Sequence, residues 1–121
     1  MSNLVVSNIS DGTTTVGTGY VVNGSAKAWC HWTEQTTVSI NGSFNVSSLA
    51  DEGTGQTGIN FTNSMVANDY AIVFTTNVAD CGGFDGASIG TTSKVTHQTR
   101  NQSGSDYDAN VACMICVGDL A

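Results

Sequence analysis

The sequence predicts an all-β chain, an antiparallel β-sandwich of jelly-roll-like character, and three observations lead there. Ser, Thr and Asn supply the polarity, since only 11% of residues are charged while 40% are hydrophobic. Uncharged polar residues suit turns and strand faces, whereas helix surfaces draw on Glu, Lys and Arg. The fourteen glycines are spread along the chain, and with the β-branched clusters they leave no uninterrupted run for several helical turns. Apolar runs also recur at short, regular spacing between Gly, Asn and Asp turns. At 121 residues the chain supports one hydrophobic core. It is read as a single domain, 1–121, with residues 1–22 an N-terminal attachment or strand segment.

The expected strands follow in order. Leu4 to Ile9, Gly19 to Val22 and Ala26 to Trp32 come first. In the last of these a period of two places Ala28, Cys30 and Trp32 on one face and Lys27, Trp29 and His31 on the other. A Trp on each face implies cover on both sides, by a second sheet or by another subunit. Thr36 to Ile40 and Ser43 to Leu49 follow. The latter turns through a Gly-rich bend, Ala50 to Gln56, into Thr57 to Thr62, which reads as a long hairpin. Tyr70 to Asn77 and Ser93 to Arg100 are the next expected strands. The final run, Asn110 to Val117, is apolar on both faces and reads as a buried central strand. Asp80 to Gly90 is the longest irregular stretch.

Charge removes several functions. Three Lys and Arg against ten Asp and Glu give a net charge of −7. Counterion-release binding to nucleic acid needs several cations on one face, which Lys27, Lys94 and Arg100 do not supply. Apolar runs such as Tyr70 to Phe74 are too short to span a bilayer, so no membrane insertion is expected. The start, Met1 to Val6, lacks the basic region and long apolar stretch of a signal peptide. Assembly in a cytosol is therefore expected, with Cys30, Cys81, Cys113 and Cys116 as free, mostly buried thiols.

Local motifs fail in context. Gly53 to Gly58 matches G-x-G-x-x-G, but a strand-like run follows where the phosphate site requires a helix. Gly86-Ala87-Ser88-Ile89-Gly90 matches a nucleophile elbow, yet no helix follows and His97 precedes Asp106 instead of following it. Asp106, Asp108 and Asn110 open like an EF-hand loop, but Val111 and Val117 stand where Gly and Glu are required. Cys113 and Cys116 have C-x-x-C spacing on what reads as a strand, which points the two thiols to opposite faces. No metal, cofactor or enzymatic activity is expected.

Two stretches are more specific. Asn23-Gly24-Ser25-Ala26-Lys27-Ala28-Trp29 is the first. Ser43-Phe44-Asn45-Val46-Ser47-Ser48-Leu49 is the second, continued by Asp51-Glu52-Gly53-Thr54-Gly55 and Ile59-Asn60-Phe61-Thr62. With Asn68-Asp69-Tyr70-Ala71-Ile72-Val73 they resemble a module of tail-fibre and appendage proteins of tailed bacteriophages, marine ones especially. The resemblance covers residues 19 to 74 and extends to the closing run Val111 to Val117. Trp29-Cys30-His31-Trp32 departs from the module's W-V-N-F, and Val66 stands where a proline is frequent. Val78 to Asp108 lies outside the resemblance.

The resemblance implies a β-rich virion structural protein, homotrimeric, displayed on the particle and contacting other virion proteins of tail or capsid. Because Asn23 lies so near the start, a short appendage, a tip protein or a capsid decoration protein is expected. Binding of a host surface glycan or envelope protein would fall to loop residues, with Asp80, Phe84, Asp85, Arg100, Asp106, Tyr107 and Asp108 as candidates. Trp29 and His31 are the candidate oligomer contacts.

Overall fold

A computed structural model describes residues 1–77, 82–84 and 90–121. The expected all-β architecture is what forms. Two four-stranded antiparallel sheets pack face to face as a single-domain sandwich. One sheet has the order β4-β3-β10-β7, from β3 (Ala26–Thr33), β4 (Ser39–Phe44), β7 (Ala71–Thr76) and β10 (Ala112–Val117). The other has the order β5-β6-β9-β8, from β5 (Val46–Gly53), β6 (Gln56–Phe61), β8 (Gly82–Phe84) and β9 (Lys94–Thr99). The hairpins β3–β4 and β5–β6 each stay within one sheet.

Period-two patterning explains the core. Ala28, Cys30 and Trp32 of β3 share one face, as their spacing predicts, and that face turns inward, where they meet Ala112, Met114 and Cys116 of β10 beside them. Ile59 and Phe61 of β6 and Val95 of β9 close the core from the opposite sheet. Tyr70 fills one end, its ring edge-on to Phe61 with centroids 5.9 Å apart and its hydroxyl donating to Thr91 O at 2.9 Å. Each large apolar side chain so buried stabilises the fold by about 1.5–3 kcal/mol.

Several boundaries differ from expectation. The run Ser43 to Leu49 is two strands belonging to different sheets, broken at Asn45. Asn45 adopts φ +55, which asparagine tolerates better than most residues. Its side chain holds the corner by accepting from Asn63 N–H (2.7 Å) and donating to Asn63 O (3.1 Å). The expected strand Thr36 to Ile40 begins instead at Ser39, because Thr36 lies in a tight turn with φ +64. The closing strand β10 is central, as expected, but only one of its faces is buried: Ile115 on the other is 56% exposed. Nothing among the described elements covers that face.

The N-terminal segment departs furthest. Of Leu4 to Ile9 only the end pairs, as β1 (Asn8–Ser10) against β2 (Thr15–Gly17). Asp11 closes this hairpin by accepting from Thr13 and Thr14 N–H at 2.9 and 2.7 Å, which lowers its carboxyl pKa. Gly19 to Val22, expected as a strand, lies within a helix, α1 (Thr18–Gly24). With no sheet edge alongside, the backbone satisfies its hydrogen bonds locally. Alternating apolar residues make a strand only where a partner exists. None of residues 1–26 is buried.

Candidate functional site

At one end of the sandwich three connections converge: the turn after β3, the β5–β6 turn and the long β9–β10 connection. Together they form an open depression of about 370 Å³ lined by Gln35, Thr36, Thr54, Asp106, Tyr107 and Asp108. Three of the loop candidates, Asp106, Tyr107 and Asp108, are thus brought together. Gln35, Thr36 and Thr54 join them without having been singled out in the sequence, because their proximity is a product of sheet packing.

The loop carrying the candidates is fixed from below. Asp108 accepts from Gly55 N–H at 2.6 Å, and Thr99 N–H donates to Gly55 O at 2.7 Å. Gly55 has φ +67, and a Cβ there would sit 2.5 Å from Thr99 O and 2.8 Å from Tyr107 N. Only glycine fits between the hairpin turn and the loop. Asp106 Oδ1 accepts from Gln98 Nε2 at 3.0 Å and Arg100 Nε at 3.2 Å. Arg100 does not line the depression; it orients the carboxylate that does. Their pair is solvent-exposed, so it contributes little stability. Tyr107 is tied by its backbone to Thr99 O at 3.1 Å and leaves its side chain partly exposed.

The remaining candidates fall elsewhere. Asp80 and Asp85 lie outside the described residues, as do Cys81 and Ser88. Phe84 ends β8, its backbone opposite His97 of β9. His31 lies partly buried on the outer face of β3, in register with Cys113 and Gly42. Trp29 is 42% exposed on that face, its indole placed over Gly42.

Beneath the depression lies a polar hub absent from the sequence reading. The Glu34 carboxylate is buried and accepts from Thr57 Oγ1 (3.0 Å), Thr99 Oγ1 (3.1 Å), Ala109 N–H (3.0 Å) and Trp32 Nε1 (3.4 Å). His97 Nδ1 lies 3.1 Å away. Since a carboxylate only accepts, that nitrogen carries the proton. Burial raises the Glu34 pKa, but the bonds from His97, Ala109 and Thr57 outweigh it and hold the carboxyl below its ordinary value. The hub joins β3, β6, β9 and the β9–β10 connection, which positions the walls of the depression. A signal was present: Glu34 continues the inward phase of Ala28, Cys30 and Trp32. Being fully buried, Glu34 and His97 do not reach a ligand.

The thiols follow the strand reading. Cys116 points inward and Cys113 outward on β10, and Cys30, Cys113 and Cys116 are free. Burial pushes the Cys30 and Cys116 thiols up to about 11. Among the described residues no group of three or more His, Cys, Asp or Glu is placed to hold a metal ion. No described helix is long and apolar enough to cross a membrane.

The site and its frame define the class: an all-β sandwich with a polar depression formed by its loops. Compared with protein-family models, curated proteins and solved structures, the chain matches none of them.

Proposed function

We propose that the chain is a non-enzymatic structural protein of a tailed-phage virion, an appendage module that presents its loop depression to a host surface glycan. The observation that carries the ligand reading is the convergence of Asp106, Tyr107 and Asp108 with Gln35, Thr36 and Thr54 around one open depression. Carboxylates, an amide and hydroxyls complement sugar hydroxyls, and a tyrosine ring offers an apolar face with a polar tip. The anchoring by Gly55, Glu34 and Gln98 holds these groups before a ligand arrives, which lowers the cost of ordering them. The virion assignment rests on the resemblance across residues 19 to 74, and with it the homotrimer, the neighbouring virion proteins and assembly in the host cytoplasm.

The test is adsorption. Particles lacking this protein adsorb to host cells more slowly, and Tyr107→Ala particles share the defect. Binding of the isolated chain to bacterial surface polysaccharides weakens at least tenfold in Tyr107→Ala. Normal adsorption by particles lacking the protein overturns the receptor reading.

A second reading, capsid decoration, is favoured by the exposed apolar face of the β4-β3-β10-β7 sheet, which suits burial between neighbouring proteins. Copy number separates the two. Hundreds of chains per particle mean decoration, and a few dozen or fewer mean a tail appendage.

A further inference from the structure

Cα register places Phe44, Trp29, Ile115 and Val73 in one row across β4, β3, β10 and β7. All four project from the outer face, 53%, 42%, 56% and 70% exposed. Beside this row lies an apolar dimple of about 110 Å³, lined by Val73, Thr75, Cys113, Met114 and Ile115. That is the size of an apolar side chain or small ring. The N-terminal segment is equally unpartnered. Leu4, Val5 and Tyr20 are 85%, 92% and 79% exposed, and the main contacts of β1 and α1 are with β2. The same chain therefore carries an uncovered apolar face and an apolar arm that does not cover it.

We propose that residues 1–24 of one copy dock across the outer face of the β4-β3-β10-β7 sheet of a second copy, so that arms are exchanged around a closed homo-oligomer. Area decides for exchange over simple face-to-face pairing. Three strands of six residues and one of eight present roughly 400 Å², about half of the ~800 Å² per partner that stable interfaces bury. The extended and helical parts of the arm add roughly as much again, which brings each copy to the standard size. Charge decides for a second copy. Two chains of net charge −7 repel each other. However, β3, β4, β7 and β10 contain no Asp or Glu, and residues 1–24 carry only Asp11. The two surfaces are thus where identical acidic chains can meet.

The experiment uses two full-length variants, each altered only at exposed positions. One is Leu4→Asp with Val5→Asp in the arm, and the other is Val73→Asp on the face. The unaltered chain sediments at two or three times the mass of one chain. Each variant alone weakens association more than tenfold. Mixed together they associate again, because an intact arm meets an intact face, and Trp29 fluorescence shifts to the blue as its ring is covered. A single-chain mass for the unaltered protein at micromolar concentration overturns the proposal. So does an arm variant that still associates by itself, as face-to-face pairing requires, and so does a mixture that stays dissociated.

Discussion

Glu34 Oε1 and His97 Nδ1 lie 3.1 Å apart in the core, with side chains 1% and 0% exposed. The pair links the end of β3 to the middle of β9, two strands of opposite sheets. Around it the hydroxyls of Thr57 and Thr99 and the amide of Ala109 complete the carboxylate's hydrogen bonds. On the imidazole, Nε2 has no partner among the described residues. The Trp32 and Phe74 rings lie against it instead, with centroids 5.2 and 4.7 Å away.

Replacing Glu34 by Ala removes one acceptor and strands several buried donors. Breaking such a buried pair from one side costs about 3–5 kcal/mol, a large share of the ~5–15 kcal/mol that holds a domain folded. The urea midpoint of Glu34→Ala therefore falls sharply, while Glu34→Gln, which keeps the shape, falls less. Equal midpoints for Glu34→Ala and the parent chain would show that the hub is not stabilising.

Acid acts through the same group. The folded-state pKa of Glu34 lies below its ordinary 4.5, so between the two values the unfolded chain binds more protons. The stabilisation is complete above about pH 4.5 and is lost as pH falls through the folded value. Glu52 shifts in the same direction because Lys94 pairs with it, but its exposure makes the contribution small. Thermal unfolding between pH 2.5 and 6 shows Tm falling on the acid side, and Glu34→Gln flattens that slope.

At Gly55 stability and binding are coupled. An alanine there meets the Thr99 and Tyr107 backbones and adopts a left-handed conformation, which alone costs about 1–2 kcal/mol. Gly55→Ala lowers Tm and displaces the loop bearing Asp106, Tyr107 and Asp108. Its polysaccharide binding falls with that of Tyr107→Ala, whereas Tyr107→Ala leaves Tm nearly unchanged.

The thiols divide by face. In the dissociated Leu4→Asp, Val5→Asp chain, whose outer face is uncovered, iodoacetamide at pH 8 modifies Cys113 before Cys30 or Cys116, whose thiols are buried and raised to about 11. Peptide mapping reads each site separately. Early modification of Cys30 in folded protein would contradict the packing of β3.

Much of the fold was legible from local pattern. Alternation put Ala28, Cys30 and Trp32 on one face of a strand and Trp29 on the other, leaving the packing of the sheets to decide which is the core. The Gly-rich bend before Thr57 marked the β5–β6 hairpin. These features depend on side-chain period and turn chemistry, which a short window contains. The corner at Asn45 was not legible. Its position depends on a hydrogen-bonding partner, Asn63, eighteen residues away. The helix α1 was missed for the converse reason, since its alternating residues have no strand to join.

The sequence by itself determined that the chain folds from β-strands, which faces are apolar, and that loop acids and Tyr107 stand near one another along the chain. Tertiary structure alone decided that Gln35, Thr36 and Thr54 meet them, that Glu34 supports them from below, and that Phe44, Trp29, Ile115 and Val73 form one row. Period and propensity act over a few residues. A depression, a buried hub and a row across strands arise only when distant segments are brought into register by the packing of two sheets.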